Sequence, residues 1–115
     1  MEPRFAGISL VASAALLLLS STAALAVDEA AATALAKKND CFKCHAIDKT
    51  KKGPSYKSVA EKYRGKEAEG QEKILKNITT GPKVKLEDGT EEDHKIIDTK
   101  DKGEIKNLID WILSR

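Results

Sequence analysis

Methionine is nearly missing from this chain: there is one, and it is Met1. A chain that loses its leader therefore has no thioether to offer a metal. Aromatic residues are also scarce, with two Phe, two Tyr and one Trp, so a self-sufficient aromatic core is excluded. There is no excess of one charge. Twenty Lys and Arg face eighteen Asp and Glu, for a net charge of +2, which is not the composition of a nucleic-acid-binding protein. At 115 residues the chain has room for one small domain, not for a two-domain enzyme with its own cleft.

The N-terminus reads as an export signal. Arg4 supplies a positive start, an apolar stretch ends in Leu16-Leu17-Leu18-Leu19, and Ala24-Leu25-Ala26 forms an A-x-A cleavage site. This pattern predicts a secretory signal peptide over residues 1–26 and a mature domain over 27–115. The apolar run is short for a bilayer span of about 20 residues, and no later segment could span one. The expected location is a bacterial periplasm, with no membrane insertion after cleavage.

Charge is unevenly spread over the mature chain. Lys37 to Lys66 holds ten basic residues and three acids, and Glu67 to Arg115 nine basic and twelve acidic. A basic half can steer toward an acidic partner, although an unevenly charged solvated surface reads the same way.

The mature chain is expected to be all-α, with about four helices around one core. Asp28 to Asp40 is Ala-rich, acidic at its start and basic at its end, as the helix dipole favours. Ser55 caps a short helix with Tyr56, Val59, Ala60 and Tyr63 on one face, stopped by Gly65. Glu67 to Asn77 reads as a third helix, with Ile74, Leu75 and Ile78 inward and Gly81-Pro82 as its stop. Lys83 to Thr99 has no long helical period and is read as an irregular loop. Asp101 to Ser114 is the clearest helix. Asp101 and Glu104 make a variant capping box, and Ile105, Leu108, Ile109 and Ile112 recur at helical spacing.

Two cysteines in an exported chain suggest a disulfide, but their spacing suggests something else. Cys41-Phe42-Lys43-Cys44-His45 is C-x-x-C-H, the attachment signature of a c-type haem. Two thiols on one helical turn reach the two vinyl groups of one porphyrin edge and form thioethers. His45, next in sequence, is then placed to offer Nε2 to the iron. The covalent ring would replace the missing aromatic core. A thioredoxin-type disulfide would need a βαβ setting, which is absent. A zinc site from Cys41, Cys44, His45 and His94 has suitable ligand types but no second closely spaced pair. Gly53-Pro54 follows closely. A ligating His usually donates Nδ1–H to a carbonyl, which Pro54 could provide; an ordinary turn proline fits the residues equally well.

The segments Cys41-Phe42-Lys43-Cys44-His45-Ala46-Ile47-Asp48, Lys52-Gly53-Pro54-Ser55-Tyr56 through Ala60, and Trp111-Ile112-Leu113-Ser114 resemble the small bacterial class I monohaem cytochromes c of the cytochrome c-551 type. The resemblance covers nearly all of the mature chain. It implies the cytochrome c fold, with the first and last helices crossing, one covalent haem c, and His45 as proximal ligand. It also implies that the Pro54 carbonyl holds His45 and that Trp111 packs near the haem. The implied role is electron transfer between Fe(III) and Fe(II), not enzymatic catalysis. Redox proteins with acidic docking surfaces are the expected partners, and a monomer is the expected state.

The family's distal ligand is a methionine in the loop before the last helix, and no methionine stands there. His94 lies close to that place and is the only other histidine. Bis-histidine ligation by His45 and His94 is the leading expectation. Lys83, Lys85 or Lys95 as ligand, and an open or water-bound sixth site, remain open. The main functional expectation is a soluble periplasmic electron carrier. The chain also resembles monohaem cytochromes that relay electrons in extracellular iron oxidation. A haem-based binder, sensor or small peroxidase with a labile sixth site is the alternative.

Overall fold

Three of the four α-helices begin where a short polar side chain can take up a free N–H. In the computed structural model, Asp28 accepts from the Ala31 N–H and opens α1 (Glu29–Lys38). Ser55 accepts from Ser58 N–H ahead of α2 (Tyr56–Lys62), and Asp101 from Glu104 N–H ahead of α4 (Lys102–Leu113). These caps satisfy amide groups that the first helical turn leaves without partners. The expected capping box at α4 is half direct and half relayed. The Asp101 N–H donates to Thr99 Oγ1 at 3.1 Å, and Thr99 Oγ1 donates to Glu104 Oε2 at 2.9 Å. The structure describes residues 26–115 and, before them, only Pro3, Gly7 and Ala15. The leader expected over 1–26 thus lies almost wholly outside the described residues. Among the described residues no helix is long and apolar enough to cross a membrane.

The third helix, α3 (Glu67–Thr80), runs three residues past the expected Asn77. Over this last turn the Thr79 and Thr80 hydroxyls donate to the Leu75 and Lys76 carbonyls. Gly81, in the left-handed region at φ 60°, ends it, as a glycine does at a helix C-terminus. Ile78 is buried and Ile74 half-buried, but Leu75 is 44% exposed, against the expectation that all three point inward. Residues 74 and 78 share one face because they stand four apart, and Leu75 is turned away from it.

Residues 83–99 are not wholly irregular. Lys83–Lys85 (β1) and Glu91–Asp93 (β2) form an antiparallel hairpin, with Lys83 opposite Asp93 and Lys85 opposite Glu91. Opposite charges across the ladder stabilise it, which is why no apolar alternation announced it. The signal that was there is Asp88-Gly89, a hairpin-turn pair, with Gly89 at φ 85°. The four helices otherwise match the all-α expectation.

α1 and α4 are packed together, with the buried Ala32 and Ala36 of α1 in the same core as Ile105, Leu108, Ile109 and Ile112 of α4. Asn107 of α4 brackets the backbone of Asp28. It accepts from the Asp28 N–H and donates to the Asp28 carbonyl, both at 2.9 Å. Arg115 reaches Glu29 at 2.9 Å. Asn39, 2% exposed, ties the end of α1 to the segment before α4. Its Nδ2 donates to the Leu35 carbonyl and its Oδ1 accepts from Asp98 N–H.

Candidate functional site

Asp40 reverses the chain just after α1. It sits at φ 56°, a conformation that Asp tolerates better than most side chains. A tight 3₁₀ turn, Cys41–Lys43, follows. Cys44 N–H and His45 N–H both return to the Cys41 carbonyl, at 3.2 and 2.9 Å. With three residues per turn, side chains at i and i+3 eclipse, so Cys41 and Cys44 emerge on one side. The expectation of one helical turn is met in this tighter form. Both thiols are free and half-buried. Burial pushes the Cys41 thiol above its ordinary value, partly offset by a hydrogen bond with Tyr56.

The loop from Cys44 to Tyr56 is held at several points. The Gly53 N–H donates to the Cys44 carbonyl at 2.8 Å, and Tyr56 N–H to the Ala46 carbonyl at 2.9 Å. This places the Pro54 carbonyl 2.7 Å from His45 Nδ1. A carbonyl only accepts, so Nδ1 carries the proton and Nε2 keeps its lone pair. Tyr56 stacks on the His45 ring, 5.2 Å between centroids at 19°. Burial lowers the proton affinity of His45, against the pull of the Pro54 carbonyl, and His94 adds to the lowering. The ring is thus held neutral, the form in which imidazole is a ligand.

His94 follows β2 directly. Its N–H donates to the Pro82 carbonyl at 2.9 Å, and its Nδ1 donates to the Lys95 carbonyl at 2.9 Å. It too is left with a free Nε2. The two histidine rings stand 6.2 Å apart, centroid to centroid, tilted by 38°.

A cavity of about 690 Å³ opens between these groups, within the roughly 300–1,000 Å³ usual for cofactor and small-molecule sites. Cys41, Cys44, His45, Pro54 and His94 all line it. So do Lys85 and Lys95, whereas Lys83 does not; its ammonium pairs with Asp93 at 3.4 Å. Lys95 pairs with Asp40 at 3.3 Å. Trp111 is not on the cavity wall but packs one layer behind it. It is 1% exposed and stands behind Phe42 and Tyr56, at 6.3 and 5.5 Å between ring centroids. The Tyr56 ring reaches the cavity in its place. Among the described residues no three His, Cys, Asp or Glu side chains converge as a metal cluster, so the four-ligand zinc arrangement does not form.

A family model described as cytochrome c matches residues 29–115. The chain belongs to the cytochrome c family. It is similar to the crystal structure of the class 1 cytochrome MtoD from Sideroxydans lithotrophicus ES-1, at 58% identity and a TM-score of 0.72, over 77% of this chain and 97% of that one. Wild-type cytochrome c552 of Nitrosomonas europaea matches at 28% identity and a TM-score of 0.54, over 71% and 96%. Cytochrome c-551 of Allochromatium vinosum is 40% identical over 47 residues, 41% of this chain and about half (49%) of that protein. This is therefore a class I c-type cytochrome related to the c-551 and c552 proteins, and its family membership implies a covalently bound haem c.

The residues of this cytochrome fit that group. Two free thiols share one side of a turn, and two imidazoles whose Nδ1 atoms hydrogen-bond to carbonyls line one large cavity. Sequence reasoning missed two residues that shape it. Gly53 lies against His45: a Cβ there would stand 2.8 Å from Cε1 and 3.1 Å from Nδ1. Asn77 brings a buried amide to the wall. Gly53 was read only as part of the Gly53-Pro54 turn; its contact with His45, like the place of Asn77 on the cavity wall, depends on how the chain packs.

Proposed function

We propose that this cytochrome is a periplasmic electron carrier holding one haem c between His45 and His94. The observation that carries the reading is the 6.2 Å separation of two rings whose Nδ1 atoms are both spent on carbonyls. Metal–imidazole bonds of about 2.0–2.1 Å on opposite sides of one ion put two ring centroids roughly 6.3–6.5 Å apart. When bound, the haem supplies one-electron chemistry between Fe(III) and Fe(II).

The chain does the rest. Cys41 and Cys44 form the thioethers and His45 ligates through Nε2, with its ring set by the Pro54 carbonyl and the Tyr56 stack. Trp111 acts one layer back, by backing Tyr56. The hairpin carries His94 to the other side of the cavity. Two imidazoles favour Fe(III) more than an imidazole and a thioether do, and Glu92 and Asp93 on the cavity wall act in the same direction. The potential should therefore lie below that of a methionine-ligated relative.

Residues 1–26 would direct export and 27–115 form the working monomer, with the lysine-rich half guiding acidic redox partners. A relay in extracellular iron oxidation is the narrower form of this reading and rests on the sequence resemblance. The test is the absorption and near-infrared magnetic circular dichroism of the oxidised protein, wild type and His94→Ala. Six-coordinate low-spin spectra turning high-spin in the variant are expected; an unchanged spectrum refutes His94 as ligand. Rapid stoichiometric carbon monoxide binding by the reduced wild type would favour the ligand-binding alternative instead.

A further inference from the structure

Residues 51–54 lie beside the attachment turn in a constant register. The Lys51 ammonium donates to the Phe42 carbonyl at 2.6 Å. The Gly53 N–H donates to the Cys44 carbonyl at 2.8 Å, and His45 Nδ1 to the Pro54 carbonyl at 2.7 Å. Each rung joins residues nine apart. The second and third rungs hold the proximal histidine; the first is made by a charged side chain.

A short helical turn leaves carbonyls without helical donors. Here the Cys41 carbonyl takes the N–H groups of both Cys44 and His45. Among the described residues no backbone N–H reaches the Phe42 carbonyl, and the Lys51 ammonium fills that place. Lys43 and Lys95 pair with Asp40, but among the described residues Lys51 meets no carboxylate. An exposed lysine gives up rotamer freedom to fold back in this way, for a bond roughly twice as strong as one between neutral groups. The backbone that aims it is fixed as well. Lys51 N–H donates to the Gly53 carbonyl at 3.1 Å, and the Lys52 carbonyl accepts from Glu87 N–H at 3.2 Å.

We propose that Lys51 is a positioning residue for the proximal ligand, locking the attachment turn against the strap that orients His45, an inference that rests on the haem reading above. Phe42 stands between the two cysteines, so a turn held at Phe42 and Cys44 cannot tilt without moving both thiols and the imidazole. The Phe42 ring also meets Tyr56, 6.1 Å between centroids, and Tyr56 stacks on His45. The lysine charge has a second effect: a cation near the site favours Fe(II). Salt screens that effect for an exposed group, whereas it leaves a change of ring position in place.

The experiment compares holoprotein with its Lys51→Leu, Lys51→Arg and Lys49→Leu variants, each first checked for covalent haem by its pyridine haemochrome spectrum. Oxidised Lys51→Leu should show shifted electron paramagnetic resonance g values, which report the orientation of the ligand ring. Its Cys44 and His45 amides should exchange about three- to tenfold faster. Its midpoint potential should fall by an amount that persists in about 1 M salt, where the Debye length is about 3 Å. Lys51→Arg restores all three. Lys49, exposed on the same loop, is the control: Lys49→Leu lowers the potential at low salt only. Wild-type g values in Lys51→Leu, or a potential shift that salt abolishes as it does for Lys49→Leu, would overturn the proposal even if the melting temperature fell. Should Lys51→Leu fail to fold, NMR of the reduced wild type still decides. A scalar coupling from the Lys51 ammonium to the Phe42 carbonyl carbon is expected; no coupling, with ammonium exchange as fast as at Lys49, refutes the bond. Wild-type protein with no haemochrome spectrum would overturn the haem reading itself, a failure visible before any variant is compared.

Discussion

Gly53 and the His45 imidazole are in contact at a distance that leaves no room for a side chain. A Cβ at residue 53 would stand 2.8 Å from the ring's Cε1, while the Gly53 N–H is already committed to the Cys44 carbonyl. Gly53→Ala must therefore rotate the ring and stretch its 2.7 Å bond to Pro54. The expected loss is about 1–3 kcal/mol, as for overpacking elsewhere. The low-spin ligand-field bands should change as well. Thermal unfolding and absorption check this, and wild-type values in both would show that the loop shifts freely.

The distal side has a matching constraint at Gly81. Its φ of 60° suits glycine, and a Cβ there would lie 2.8 Å from the His94 carbonyl. Gly81→Ala combines left-handed strain of roughly 1–2 kcal/mol with displacement of the histidine backbone. It should destabilise the protein and raise the high-spin fraction of the oxidised spectrum together. Destabilisation with an unchanged spectrum would separate Gly81 from His94.

Gly70 tests which of two opposing effects wins. In a helix interior, Gly→Ala normally stabilises by about 0.5–1 kcal/mol. Here a new Cβ would lie 2.9 Å from Tyr63 Cβ and Cγ and 3.1 Å from Leu113 Cδ2. Overpacking of about 1–3 kcal/mol outweighs the helix gain, so Gly70→Ala should lower the denaturation midpoint. A rise would show that α3 can move away from Tyr63.

Asn39 is a buried bridge, and replacing it by Leu keeps bulk but removes both polar contacts. The Asp98 N–H loses its partner, while the Leu35 carbonyl keeps the Asn39 backbone N–H; the cost is about 1–3 kcal/mol for an unsatisfied buried group. Urea unfolding should show that loss with the helix content of the folded protein retained. A change below about 0.5 kcal/mol, usual for surface sites, would show that water replaces the amide.

Acid should weaken the fold through three exposed carboxylates. Asp98 is held below the ordinary carboxylate range by hydrogen bonding from Asn39 and by Lys38, Asp40 by Lys95 and Lys43, and Asp88 by Thr90. A depressed folded-state pKa stabilises at pH above the unfolded value of about 3.9. That contribution is lost as pH falls through the lower folded value. Asp98→Asn and Asp40→Asn should therefore flatten the fall in melting temperature below about pH 4. Parallel curves for wild type and variants would refute the linkage.

The parts legible in the sequence are those set by near neighbours. Ser55 and Asp101 cap their helices through amides three residues on, and Ile105, Leu108, Ile109 and Ile112 follow from helical period alone. The five residues Cys41 to His45 were enough to suggest a haem, because attachment chemistry demands that spacing. The hairpin was missed because charge pairs, not apolar alternation, hold its strands; only Asp88-Gly89 hinted at it.

By itself, then, the sequence determined four helices, a haem-attachment turn and the lack of any methionine beyond Met1. Only the tertiary structure decided that His94 faces His45 at 6.2 Å, that Tyr56 and not Trp111 meets the cavity, and that Gly53 must be bare. The reason is physical. Caps and periods are written in contacts a few residues long, whereas a cavity wall is made by residues tens of positions apart, brought together by the packing of the core and by backbone bonds such as that from His94 to Pro82.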